Sequence, residues 1–160
     1  MWVKLVSMRI NRLALVLLVA YLLVLAVLTL RPVGADVESN LRINLKPFAT
    51  ILPALHRGPG TFAFALLVGN LVAFVPLGLL LPMAFRRLWW PFVIAAGLLV
   101  STAIEVTQYV ISNNLGYGYR AADVDDVIVN VTGTILGLAL FGVVALAANI
   151  VGRLRRRAAG

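Results

Sequence analysis

Three stretches of this chain run without a charged residue for about the length needed to cross a bilayer, and nothing else in it constrains the fold so strongly. Leu13 to Leu30 is uncharged over 18 residues, Thr61 to Phe85 over 25 and Val127 to Gly152 over 26. A helix rises ~1.5 Å per residue, so about 20 apolar residues span the ~30 Å hydrocarbon core. A fourth run, Leu88 to Ile104, is uncharged for 17 residues, is interrupted by Glu105 and resumes through Ile111. It reads as one helix with a buried carboxylate. Open backbone groups find no water in lipid, which leaves helices as the spanning elements here. A mean hydropathy of +1.00 excludes an ordinary soluble domain. The expected fold is an all-α membrane protein: a compact bundle of four transmembrane helices at about 12–31, 61–85, 88–112 and 123–152, forming one domain over residues 1–160.

The first run follows Lys4, Arg9 and Arg12, as a signal peptide would. It is longer than the roughly 7–15 residues of a signal peptide's apolar region, and a retained helix is expected. Charge then sets the orientation. With the N-terminus in the cytoplasm, nine of the 14 basic residues fall on the inner side, including Arg86, Arg87 and the C-terminal Arg153, Arg155, Arg156 and Arg157. The five loop carboxylates Asp36, Glu38, Asp123, Asp125 and Asp126 all fall outside. Both termini are therefore expected in the cytoplasm of a bacterial cell, with the protein in the plasma membrane. The basic tail serves as an orientation signal and a contact to anionic lipid, not as a nucleic-acid arm. Between helices one and two lies a long outer loop, Arg31 to Gly60, with Pro32, Pro47, Pro53 and Pro59 among apolar clusters. Its place is either along the outer interface or against the bundle.

The polar residues inside the spans share a depth. Counting from the outer ends of their helices, Asn70, Glu105, Gln108, Asp126 and Asn130 all lie roughly 4 to 14 Å down. Ser101, Glu105, Gln108 and Ser112 follow steps of four, three and four, one stripe of the third spanning helix. Asp123, Asp126, Asn130, Gly133 and Gly137 form a second stripe on the fourth, polar above and glycine below. Gly133 and Gly137 are a small-xxx-small pair that admits another helix closely, and Pro76 removes a hydrogen bond from the second. Each polar residue also has a plainer role. Asp123 and Asp126 suit the first turn of a helix, Arg120 suits a pair with Asp123, and Asn70, Gln108 and Asn130 suit interhelical hydrogen bonds. Glu105 resists that treatment, because an ionisable group in a span costs several kcal/mol unless paired or hydrated.

Four segments in this order carry a resemblance: INLKPFATI (43–51), GNLVAFVPLGLLLP (69–82), STAIEVTQ (101–108) and RAADVDDVIVNVTGTILG (120–137). Together they resemble the VanZ-like family, named for a protein associated with teicoplanin resistance. The resemblance implies a multi-pass bacterial membrane protein with a role at the cell envelope, in glycopeptide resistance. It falls on Asn44, Pro47 and Phe48, on Asn70, Phe74, Pro76 and Gly78, on Glu105 and Gln108, and on Arg120, Asp123, Asp126, Asn130 and Gly133. It carries no settled reaction with it.

From the residues, the expectation is an outward polar pocket formed by Asn70, Glu105, Gln108, Arg120, Asp123, Asp126 and Asn130. It would hold the polar head of a lipid-linked cell-wall precursor while the tail stays in lipid, Arg120 contacting phosphate and the amides contacting sugar or peptide. Two other classes stay open. One is a membrane enzyme acting on a lipid-linked phosphate, with Mg²⁺ held by Asp125, Asp126 or Glu105; the other is a structural subunit whose loop docks a membrane-protein partner. No cofactor or metal site is expected, since cysteine is absent, no HExxH occurs and His56 stands alone. Catalysis is not favoured, the expected partners are membrane lipids, and nucleic acid is not among them.

Overall fold

Acyl chains are as apolar as leucine, so helices in lipid are held together by close backbone packing and polar ties more than by hiding apolar surface. A computed structural model describes residues 10–30, 43–86, 88–115 and 122–158 and shows both devices. Five helices follow one another: α1 (Arg12–Leu30), α2 (Ile51–Arg57), α3 (Phe62–Ala84), α4 (Trp90–Leu115) and α5 (Val124–Ala158). All but α2 are long and apolar enough to cross a membrane. No strand occurs among the described residues, where the only extended pairings are single bridges.

Hydrogen bonds fix the directions. The Asn11 N–H donates to the Ala84 carbonyl at 2.9 Å, which puts the start of α1 beside the end of α3. Gln108 Nε2 donates to the Thr29 carbonyl at 2.8 Å, which puts the end of α1 beside the last turns of α4. The Asp123 N–H donates to Glu105 Oε2 at 3.0 Å, so α5 starts beside the C-terminal half of α4. The spans therefore alternate in direction. A small apolar core of Ala14, Leu18, Leu25, Phe74, Leu77 and Ala84 joins α1 to α3, and the Tyr21 hydroxyl donates to the Ala73 carbonyl at 2.7 Å across the same seam.

The closest packing is between α3 and α5. A methyl group added at Gly78 would run into the Thr134 carbonyl, one at Gly133 into the Leu71 carbonyl, and one at Gly137 into the Val75 carbonyl. Backbone thus lies on backbone, with glycine Cα–H groups facing carbonyl oxygens. Thr134 also fills the space over Gly97 of α4, so one side chain sits where three helices meet. α3 continues through Pro76 and Pro82.

Beyond shifts of one or two residues at other helix ends, three features differ from the sequence expectation. The Pro-rich connection contains α2, which no span-length argument could reveal. Thr50 precedes it and Pro53 lies in its first turn, where the missing N–H costs no hydrogen bond. Helix α4 reaches Leu115, not residue 112. Helix α5 reaches Ala158, not residue 152, so the arginines expected as a tail form its last turn. Arginine is a good helix former and its charge suits a helix C-terminus. At 35 residues α5 is about 52 Å long, so part of it extends beyond the ~30 Å core.

Candidate functional site

The first N–H groups of any helix lack partners within it. At the start of α5 two other segments and the helix's own capping residue supply them. The Asp123 N–H goes to Glu105, the Val124 N–H to the Asn44 carbonyl at 2.9 Å, and the Asp125 N–H to Asp123 Oδ1 at 2.9 Å. Asp123 is thus the capping residue. Its Oδ1 also accepts from Asn44 Nδ2 at 2.8 Å, while the Asn44 N–H donates to the Ala122 carbonyl at 2.8 Å. Segment 43–46 is in this way paired with the entry to α5.

Asp125 lies at the centre of the next layer. Its Oδ1 accepts the Phe48 N–H. Its Oδ2 accepts the Thr50 N–H at 2.7 Å, the Thr50 hydroxyl at 2.9 Å and the Ile51 N–H at 3.2 Å. Helix α2 has no cap from the Thr50 side chain, and this carboxylate, 75 residues further along the chain, takes that place. The side chain is 1% exposed. Phe48 accepts a positive φ of 65° to present its N–H there, a conformation that costs a bulky residue on the order of 1–3 kcal/mol.

The expected stripe of α4 is buried as a unit: Ser101, Glu105, Gln108 and Ser112 are all inside. Asn130 Nδ2 donates to Ser101 Oγ at 2.9 Å. Gln108 satisfies a carbonyl in the last turn of α1, which has no partner within its own helix. Gln108 Oε1 and Asn130 Oδ1 are buried without a hydrogen-bond partner among the described residues. Asn70 is half-buried on α3 and takes part in none of these hydrogen bonds. Asp126 is half-buried, and Arg120 lies outside the described residues.

The sequence-derived set is therefore divided. Asp123 and Asp126 border an open recess of ≈260 Å³ between α2, α3 and α5, with Thr50, Asp125, Ala63 and Leu67 among its other walls. Glu105, Gln108 and Asn130 lie behind it in the helix junctions, and Asn70 is not on its wall. The sequence marks Asp125 as an outer carboxylate and, in the enzyme reading, as a candidate Mg²⁺ ligand, and does not reveal its role in holding α2. Helical phase favours Asp126, which continues the line of Asn130, Gly133 and Gly137; Asp125 is turned away from that line and is buried by the 43–51 segment instead. No distinguishing signal was present: α2 opens without an acidic residue, which favours a carboxylate from elsewhere, but α1, α3 and α4 open without one too.

Chemically, Asp125 with four donors and Asp123 with two are acceptors already in use. One wall of the recess is acidic and hydroxylated, the other aliphatic. Among the described residues, no three of the histidine and carboxylate side chains converge as a metal-binding group.

Against known proteins, the family described as VanZ/LLP1 matches residues 18–145. The chain is 31% identical over 100 residues to "Protein VanZ" of Enterococcus faecium, a match covering 62% of this chain and 52% of that protein. The chain thus spans about half the length of the curated relative it matches. No solved structure matches it.

Proposed function

The chain belongs to the VanZ/LLP1 family, and on that basis we propose that it is a multi-pass plasma-membrane protein of the bacterial envelope that binds or reorganises a lipid-linked envelope component at the outer leaflet. By doing so it contributes to glycopeptide resistance of the teicoplanin type. Both termini are cytoplasmic in this reading, which puts the recess on the outer side.

The observation that carries the reading is the recess itself. It joins carboxylates and a threonine to an aliphatic wall at the rim of a spanning bundle, and a lipid with a hydroxyl- or amine-bearing head has that same division. Carboxylates accept hydrogen bonds and repel phosphate, so sugar hydroxyls or amines face Asp126 and Thr50, and the phosphate falls to Arg120. The tail remains among the acyl chains.

Native mass spectrometry of the purified protein tests this, with wild type beside Asp126→Asn, Arg120→Ala and Ala63→Phe. The last fills the recess without removing a hydrogen bond. A phospho- or pyrophospho-lipid retained by wild type and lost from all three folded variants is the expected result. Identical bulk phospholipids in all four samples would defeat the head-group reading.

A second reading, a structural or partner-docking subunit, is favoured by one specific observation. Asp125 and Glu105 both spend hydrogen-bonding capacity on backbone N–H groups of other segments, which is how a scaffold uses carboxylates. In that case Ala63→Phe leaves the retained lipids and the activity in cells unchanged. An enzyme on a lipid phosphate gains no comparable support from the described residues.

A further inference from the structure

The segment that Asp125 holds exposes apolar side chains. Leu45 is 77% exposed, Phe48 52%, and Leu52 and Leu55 each 50%. At about 100° per residue, α2 has three faces. Ala54, buried, and Ile51 turn to the bundle; Leu52 and Leu55 share a second side; Arg57 lies roughly opposite Leu55. A seven-residue helix between a bundle and water would need two faces. The third is half exposed and is not accounted for by contacts among the described residues.

Its height is fixed from both ends. Only four residues separate Arg57 from Phe62, where the spanning helix α3 starts, so the end of α2 lies within about 18 Å of that start. The hydrogen bonds from Phe48, Thr50 and Ile51 to Asp125 tie it to the first turn of α5. The exposed leucines are thus level with the ends of two spans, in the zone of head groups and upper acyl chains. Phe48 adds an independent argument. Its backbone is strained at φ 65°, and its ring gains little burial within the protein in return.

We propose that residues 43–57 form an interfacial wedge that inserts Phe48, Leu52 and Leu55 into the bilayer at the boundary of head groups and acyl chains, with Lys46 and Arg57 on the lipid phosphates. The occupant of the exposed face is the phospholipid bilayer. Charge complementarity supports it: Lys46 and Arg57, both exposed, bracket the apolar residues along the chain, and long basic side chains extend toward phosphate from an apolar base. Interfacial helices with leucine and phenylalanine on one side seat about 5–10 Å into this boundary. The wedge holds whether or not the recess behind it takes a lipid head.

The chain has no cysteine, so each of Phe48→Cys, Leu52→Cys, Leu55→Cys and Arg57→Cys carries a nitroxide at one known place. The variants are reconstituted in vesicles of phosphatidylethanolamine and phosphatidylglycerol, and those melting like wild type are examined for collision with oxygen and with a water-soluble nickel chelate. The oxygen-to-nickel ratio is expected to be several-fold higher at positions 48, 52 and 55 than at 57. Equal ratios at all four positions would place the segment in water and overturn the proposal. Low collision with both reagents at 52 and 55 would overturn it too, by showing a second copy or another protein on that face.

Discussion

Asp125→Ala is expected to lower the unfolding midpoint of the detergent-solubilised protein by roughly 6–12 °C, while Asp125→Asn costs less than half as much. The carboxylate accepts four hydrogen bonds, three from backbone N–H groups, and it is 1% exposed. Alanine leaves those donors facing an apolar void. Hydrogen bonds to a charged group contribute about 1.5–3 kcal/mol singly and are not additive, so about 3 kcal/mol is expected for the set, which a domain of this size reads as that shift. Asparagine keeps one acceptor oxygen but turns an NH₂ group toward donors, so it preserves part of the set. The loss is also local: α2 should become cleavable by protease between residues 43 and 60 while the four spans stay protected. An unchanged midpoint with intact α2 would show that the Pro-rich segment holds itself.

The elements that could be read from sequence are those set by a single periodicity. Span length and charge gave all four long helices, and steps of three and four gave the stripe from Ser101 to Ser112, which is buried as a unit. Gly133 and Gly137 were readable as a contact surface because only glycine admits a backbone at that range. What sequence could not supply was tertiary cover. Asp125 and Asp126 are neighbours in one first turn, and no property of that turn says which one a distant loop will bury. Asn44 and Asp123 likewise pair across 79 residues. The expected pocket joined every polar group at one depth, whereas the hydrogen bonds separate a recess in front of α5 from junctions behind it. Depth is a single coordinate, and the helix rotations that complete it depend on the packing of α3 against α5.

That packing sets the other large effect. Gly133→Ala and Gly137→Ala are each expected to lower the unfolding midpoint by roughly 5–10 °C, corresponding to about 2–3 kcal/mol of overpacking. The obstacle in each case is a carbonyl oxygen of α3, of Leu71 or Val75, and backbone has no rotamer to move to. The two helices would have to separate along their whole contact, which also pulls Thr134 away from Gly78. Gly69→Ala and Gly142→Ala are the matched controls, since a methyl group there meets nothing within 4 Å. Helix propensity alone makes those changes neutral or stabilising by up to about 1 kcal/mol. The contrast separates contact from propensity, because all four substitutions improve the helix and only two collide. If Gly137→Ala melted with Gly142→Ala, the close approach of α3 and α5 would not be what holds the bundle, and the polar ties around Glu105 and Asn130 would have to carry it alone. Hydrogen bonds between spanning helices average only about 0.6 kcal/mol, too little for that task, so the glycine contact is expected to carry the α3–α5 seam.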